Sequence, residues 1–287
     1  MKKNILFEIL IFLFFTAIFS SFFYYHMLQL KTIHSPWSLN MLGLMWSPAF
    51  AAITTQLLLH QKVNKTIFKR PPFRYLVISY GIPLLYLSST YLCIWGTGLG
   101  GFLNPSFFTV VENAYHFSWI HPLLFHILFS LTAGVVIKSV FALGEEWGWR
   151  GFLVPKLLQV TSVAKTAFIS GIIWAAWHYP MIIFLDYNGR TPVLFSLFCF
   201  TGMILGLSFL YTWMWLKTKS IWTVVLLHAS HNLFIQQIFN PLTSDTEGTY
   251  YFIGEFGIGV FFIGILLMIL IIPQIVAIRP SLDRKGA

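Results

Sequence analysis

The chain alternates long apolar runs with short polar segments, and the apolar runs are long enough to cross a membrane. A spanning helix needs about 20 mostly apolar residues, and eight segments meet this requirement. The predicted spans are residues 4–24, 37–60, 74–95, 119–143, 165–185, 193–216, 220–239 and 252–278. The pattern predicts an all-α, polytopic membrane protein with about eight transmembrane helices, forming a single integral-membrane domain over residues 1–287.

The first apolar run begins like a secretory signal peptide, because Lys2 and Lys3 precede it. The run is too long for the apolar region of a signal peptide, contains Glu8 and ends without a small-residue cleavage site. We therefore expect it to be retained as a transmembrane helix.

Composition agrees with a membrane setting. Only 9% of the residues are charged, 57% are hydrophobic and the mean hydropathy is +0.76, whereas soluble proteins carry about 25% charged residues. Cys93 and Cys199 both lie in apolar runs without the spacing of a metal or redox site. Neither a disulfide framework nor thiol chemistry is expected.

The basic residues predict the orientation of the spans. An even number of spans places both termini on one side, and all but three of the 18 basic residues fall on that side, the exceptions being Lys31, Lys138 and Arg190. The opposite loops carry acidic residues, namely Glu112, Asp186, Asp245 and Glu247. The positive-inside rule then predicts cytoplasmic termini in a multi-pass protein of the cell membrane. The net charge of +9 is explained by topology and contact with anionic lipid, so no nucleic-acid partner is expected.

A charged cluster, Glu-Glu-Trp-Gly-Trp-Arg at residues 145–150, follows the fourth predicted span. Glu146 and Arg150 are four residues apart on a helix, a spacing that favours an ion pair, and one interpretation is a structural pair at the cytoplasmic boundary. Glu145 is turned about 100° away around the helix axis. It is the freer carboxylate and the better candidate for a general base.

Two later spans carry polar residues that lipid would not tolerate. His178 follows Trp174 by four residues in the fifth span, and His228 shares one helix side with His231 and Asn232 in the seventh. Each group is open to two interpretations, interhelical hydrogen bonding or function. At about 1.5 Å per residue, His228 lies roughly 12 Å and His178 roughly 20 Å from the cytoplasmic ends of their spans. Convergence with Glu145 is therefore feasible.

Three motifs together resemble a known protease family. They are Glu-Glu-x-x-x-Arg at 145–150, aromatic-x-x-x-His from Trp174 to His178, and His-x-x-x-Asn from His228 to Asn232. Their order and spacing are similar to those of the CPBP family, the CAAX protease and bacteriocin-processing group of intramembrane proteases related to Ras-converting CAAX prenyl endopeptidases. The resemblance covers about residues 45–234. Trp174 departs from it, since this position usually holds Phe.

The resemblance implies an intramembrane endopeptidase whose site is reached from the cytoplasm or the membrane plane. It implies that Glu145 activates water, that His178 holds or polarises this water, and that His228 and Asn232 donate hydrogen bonds to the oxyanion. Glu146 and Arg150 would brace these residues. The implied partner is a peptide or membrane-associated protein, prenylated if the chain processes CAAX termini.

Metal dependence and two other functions remain as alternatives. Glu145, His178 and His228 are the residues that would bind zinc, but the chain has no His-Glu-x-x-His and Asn is a poor zinc ligand. The preferred interpretation therefore requires no cofactor. The alternative functions are a non-catalytic bacteriocin-immunity or partner-binding protein and a proton-coupled transporter; intact motifs count against the first, and the missing internal repeat counts against the second.

Overall fold

The computed structural model describes residues 2–30, 39–115 and 120–283, and the side chains of residues 4–30, 39–115 and 120–277. In these ranges the chain is almost entirely helical. The helices are α1 Lys2–Leu30, α2 Leu39–Leu58, α3 Phe73–Gly96, α4 Pro105–Ala114, α5 Pro122–Leu157, α6 Val163–Phe184, α7 Val193–Thr218, α8 Ile221–Leu233 and α9 Ile258–Asp283. Two-residue strands, β1 Gly101–Phe102 and β2 Thr243–Ser244, pair in antiparallel.

Seven of the described helices are long and apolar enough to cross a membrane, namely α1, α2, α3, α5, α6, α7 and α9. This confirms the predicted all-α, polytopic fold. The predicted span 220–239 is also helical, since a π turn at Phe234–Phe239 continues α8, but it is not among the seven. It is an inner helix, packed against α3, α5 and α7 with most of its residues buried. Which side the termini face stays a prediction, and Lys31, Arg284 and Lys285 lie outside the described residues.

The fourth span is longer than predicted. Residue 143 was expected to end it, but α5 continues to Leu157 through a π turn at Trp149–Leu153. Glu146 and Arg150 are fully buried inside the bundle, and the position of their pair at the cytoplasmic boundary stays a prediction. The prediction ended the membrane segment at the charged cluster of residues 145–150. In the structure the helix continues past this cluster, because the charges of Glu146 and Arg150 compensate each other inside the bundle. π turns occur frequently at functional sites.

Two glycines fix the rotation of α5 against α2. A Cβ atom at Gly144 would lie 2.6 Å from the carbonyl oxygen of Met45, and one at Gly148 would lie 2.3 Å from Cβ of Pro48. Small residues four apart let membrane helices approach closely. Because this glycine face is turned toward α2, the neighbouring Glu145 is directed to another side of α5, toward the bundle interior.

Replacing Gly148 with alanine should destabilise the protein, because the added methyl group overlaps Pro48. We expect Gly148→Ala to lower the free energy of unfolding by about 1–3 kcal/mol, the usual cost of overpacking. The matched control is Gly81→Ala in α3, where no heavy atom lies within 4 Å of the added Cβ. Thermal unfolding in detergent measures both variants. Equal Tm values for Gly148→Ala and the unmodified protein would contradict the close approach of α2 and α5.

Candidate active site

One large cavity gathers the four candidate catalytic residues. Its volume is about 1010 Å³, and Glu145, His178, His228 and Asn232 all line it. Glu145 is 1% exposed and His228 is 5% exposed, so both lie at the deep end. The structure therefore brings together, from α5, α6 and α8, side chains that are far apart in the sequence.

Trp174 is in contact with three of these residues. Its indole Nε1 donates a hydrogen bond to Oε2 of Glu145 at 2.7 Å. Its ring centroid lies 5.4 Å from that of His228, in an edge-to-face arrangement. Its backbone carbonyl accepts a hydrogen bond from Nδ1 of His178 at 2.9 Å. Trp174, the aromatic residue of the second motif, therefore also orients the candidate base.

Glu146 connects the ion pair to His228. Its Oε1 lies 3.0 Å from Nη1 of Arg150 and 2.9 Å from Nδ1 of His228. The Arg150 guanidinium also lies over the rings of Trp174 and Tyr211, at 4.3 and 4.8 Å from their centroids. The i, i+4 pair predicted from sequence is therefore present, and it holds His228 as well.

His178 and Asn232 keep polar atoms directed to the cavity. Because Nδ1 of His178 donates to the Trp174 carbonyl, Nε2 carries the lone pair. The side chain of Asn232 lines the cavity and makes no hydrogen bond with the described residues. Both residues therefore have hydrogen-bonding capacity left for water or substrate.

His231 has a different environment from His228. Its Nδ1 lies 2.6 Å from the hydroxyl of Tyr86 on α3, the kind of interhelical hydrogen bond that its position on α8 leads us to expect. Its Nε2 is buried without a partner among the described residues. His231 thus links α8 to α3, while His228 links α8 to α5.

The residues considered as zinc ligands are each oriented by the protein. Within the described residues, no group of three His, Cys, Asp or Glu side chains is placed to hold a metal ion. Glu145, His178 and His228, the set considered from sequence, each make a hydrogen bond with the protein, as metal ligands also commonly do. A mechanism without a metal step stays a prediction.

A second polar layer in the cavity was missed by the sequence analysis. Nζ of Lys138 donates to Oε1 of Gln236 at 2.7 Å, and Nε2 of Gln236 donates to Oε1 of Glu255 at 2.9 Å. The Tyr187 hydroxyl donates to the other oxygen of Glu255. Burial and the Glu255 carboxylate raise the pKa of Tyr187 well above its ordinary value, so this hydroxyl stays a neutral donor. One sequence signal was available, since Lys138 precedes Glu145 by seven residues and shares its helix face.

Comparison with known proteins supports the family resemblance. Residues 119–234 match the family model for type II CAAX prenyl endopeptidases, Rce1-like. The chain contains an Rce1-like region. This confirms the resemblance predicted from the three motifs, all of which fall inside the Rce1-like region, whereas residues 45–118 of the predicted core lie outside it.

A curated relative shares part of this sequence. CAAX prenyl protease 2 of Methanococcus maripaludis is 34% identical over 109 residues, which represent 36% of this chain and 39% of the relative. The similarity therefore spans well under half the length of the relative.

Replacing Trp174 with phenylalanine should separate its two roles. The ring contacts with Arg150 and His228 remain, but the hydrogen bond to Glu145 is lost. A hydrogen bond to a charged group is worth about 1.5–3 kcal/mol, so we expect proteolytic turnover to fall about ten- to a hundredfold with folding retained. The test compares kcat and Tm of the purified variant with those of the unmodified protein.

Trp177 provides the matched control on the same helix. Its Nε1 donates at 2.7 Å to Oγ of Ser20, not to Glu145. Trp177→Phe should lower Tm with little change in kcat. Equal losses of turnover in the two variants would contradict the assignment of Trp174 as the residue that orients the base.

Proposed function

We propose that this protein is an intramembrane endopeptidase that hydrolyses a peptide bond with a water molecule activated by Glu145. The observation that carries the proposal is the convergence of a buried carboxylate, two histidines and an asparagine on one cavity. The substrate is a peptide or a membrane-associated protein. The similarity to a relative named CAAX prenyl protease supports the same reaction class.

Glu145 and His178 act on the nucleophile. One oxygen of Glu145 is held by Trp174, which leaves the other to take a proton from water. The lone pair on Nε2 of His178 accepts a hydrogen bond from the same water and directs its oxygen at the carbonyl carbon. The proton held by Glu145 then passes to the leaving nitrogen as the C–N bond breaks, which regenerates the carboxylate.

His228 and Asn232 stabilise the oxyanion. The Glu146 carboxylate accepts a hydrogen bond from Nδ1–H of His228, so Nε2 can donate only when the ring carries a second proton. In that state the carboxylates of Glu145 and Glu146 are balanced by the Arg150 guanidinium and the imidazolium of that histidine. The site then carries no net charge, as a buried site requires. The amide of Asn232 is the second donor. Donors fixed in a site of low dielectric constant stabilise developing charge by about 3–4 kcal/mol each.

The first test of this function replaces Glu145 with glutamine. The amide oxygen still accepts from Trp174, but it cannot take a proton, so cleavage should fall about 100- to 10,000-fold with Tm unchanged. The probe is a pool of randomised, internally quenched decapeptides, with and without a farnesylated cysteine near the C-terminus. Glu112→Gln on α4 is the control for loss of one carboxylate away from the cavity. Normal cleavage by Glu145→Gln would exclude the mechanism.

The same assay tests the absence of a metal step. Purified protein should keep its activity after exhaustive chelation and contain less than one zinc per chain by elemental analysis. Activity that is lost on chelation and restored by zinc would replace this mechanism with a metal-dependent one.

A second test compares the two histidines of α8. His228→Ala removes an oxyanion donor, so kcat should fall by about 100-fold or more while substrate binding is largely kept. His231→Ala breaks the bond to Tyr86 and should mainly lower Tm. Both are measured as turnover of one peptide in matched detergent. If His231→Ala is inactive and His228→Ala is active, the oxyanion donor is His231.

A further inference from the structure

The loops that line the cavity all lie at one end of the helix bundle. Its exposed rim is formed by the start of α4, the α6–α7 loop and the segment after α8, and includes Ser106, Asp186, Arg190 and Asp245. No residue of the described loops at the opposite face, residues 59–72, 158–162 and 219–220, lines it. The mouth therefore lies at the end where α1 and α3 finish and where α2 begins.

The opposite side of the site is closed. A layer of side chains lies between the catalytic residues and the face opposite the mouth. Its members have no exposed surface, and they are Arg150, Leu153, Met214 and Val224. Water and substrate therefore have access to the catalytic residues from the mouth and not through this layer.

Most of the basic residues that the structure describes lie at the closed face. Loops and helix ends there carry Lys62, Lys65, Lys69, Arg70, Arg74, Lys156, Lys165, Lys217 and Lys219. The rim of the mouth has a different balance, since Asp186 and Asp245 accompany Arg190, which is paired with Asp245 at 2.7 Å. Basic loops are retained on the cytoplasmic side of a membrane. The open end of the cavity is then the extracytoplasmic end.

We propose that the cavity opens to the outside of the cell and that the substrates are polypeptides whose scissile segment lies on the extracytoplasmic side. The chemistry of cleavage rests on the proposed function, but the direction of access does not. A prenylated C-terminus in the cytoplasm does not reach Glu145 through this mouth. This direction differs from the access from the cytoplasm or the membrane plane that the family resemblance implies.

The dimensions of the cavity restrict the substrate to an extended segment. Lys138 and Glu145 are seven residues apart on α5, about 10 Å along the helix axis. An extended peptide rises about 3.3 Å per residue, so about three residues separate the scissile bond from the level of Lys138. A cavity of about 1010 Å³ is at the upper end of small-ligand pockets. It admits a tail or an unfolded loop, not a folded domain.

Three single-cysteine variants of the full chain test the direction of access. In each, Cys93 and Cys199 are replaced by alanine, and one new cysteine is placed in α2 or in the loop that follows it. Met45→Cys lies in the cavity wall, Phe50→Cys lies on the exposed apolar surface of the same helix, and Lys65→Cys lies in the basic loop that follows. A charged, membrane-impermeant methanethiosulfonate is added to intact cells. We expect labelling of Met45→Cys, none of Phe50→Cys, and labelling of Lys65→Cys only after permeabilisation.

Two results would overturn the proposal: labelling of Met45→Cys only in inside-out vesicles, or from neither side. If Met45→Cys does not accumulate, Ser106→Cys at the rim gives the same readout. A cleavage arm adds the impermeant decapeptide pool to intact cells, with Glu145→Gln as the inactive reference. If Met45→Cys is labelled from outside but neither the unmodified protein nor Glu145→Gln cleaves the pool, the direction of access is supported and the proposed function is wrong. Inside-only labelling, together with cleavage of the pool only when it is added to inside-out vesicles, would reject the direction of access and keep the proposed function.

Discussion

The ion pair between Glu146 and Arg150 is the interaction on which the arrangement of the site depends. Both side chains are fully buried in a bundle of apolar helices, and breaking such a pair typically costs about 3–5 kcal/mol because the remaining charge is left uncompensated. The pair also reaches beyond α5: Glu146 holds His228 of α8, and Arg150 packs over Tyr211 of α7. Four helices are thereby fixed around one neutralised pair of charges, since Trp174 of α6 covers the guanidinium as well.

Much of this architecture could be predicted from the sequence. Apolar runs located the helices, the spacing of Glu146 and Arg150 predicted their pairing, and the order of the motifs indicated the protease family. The end of α5 at Leu157 could not be predicted, because a hydropathy pattern places charged residues at the edge of a membrane segment unless their partners are known. The second partner of Glu146, His228, is 82 residues away on α8, beyond the reach of local spacing.

The polar layer of Lys138 and Glu255 illustrates the same limit. Each residue is isolated in an apolar stretch of the sequence, and the contact between them runs through Gln236 on a third segment. Trp174 is a subtler case. Its aromatic character was evident from the motif, but only the three-dimensional arrangement shows that its indole donates to Glu145, a contact that the usual phenylalanine cannot make.

The cavity that is open at one end and closed at the other has an electrical consequence. Where water fills a cavity, the cavity takes nearly the potential of the solution it joins. With the proposed opening, most of the membrane potential then falls across the closed layer containing Arg150 and Leu153. Moving one charge through that layer changes its energy by about 2.3 kcal/mol per 100 mV. A charged substrate that moves from the mouth to Glu145 crosses little of this field. Under the proposed function, hydrolysis is then expected at nearly the same rate in energised and de-energised membranes, although the site lies deep within the bundle.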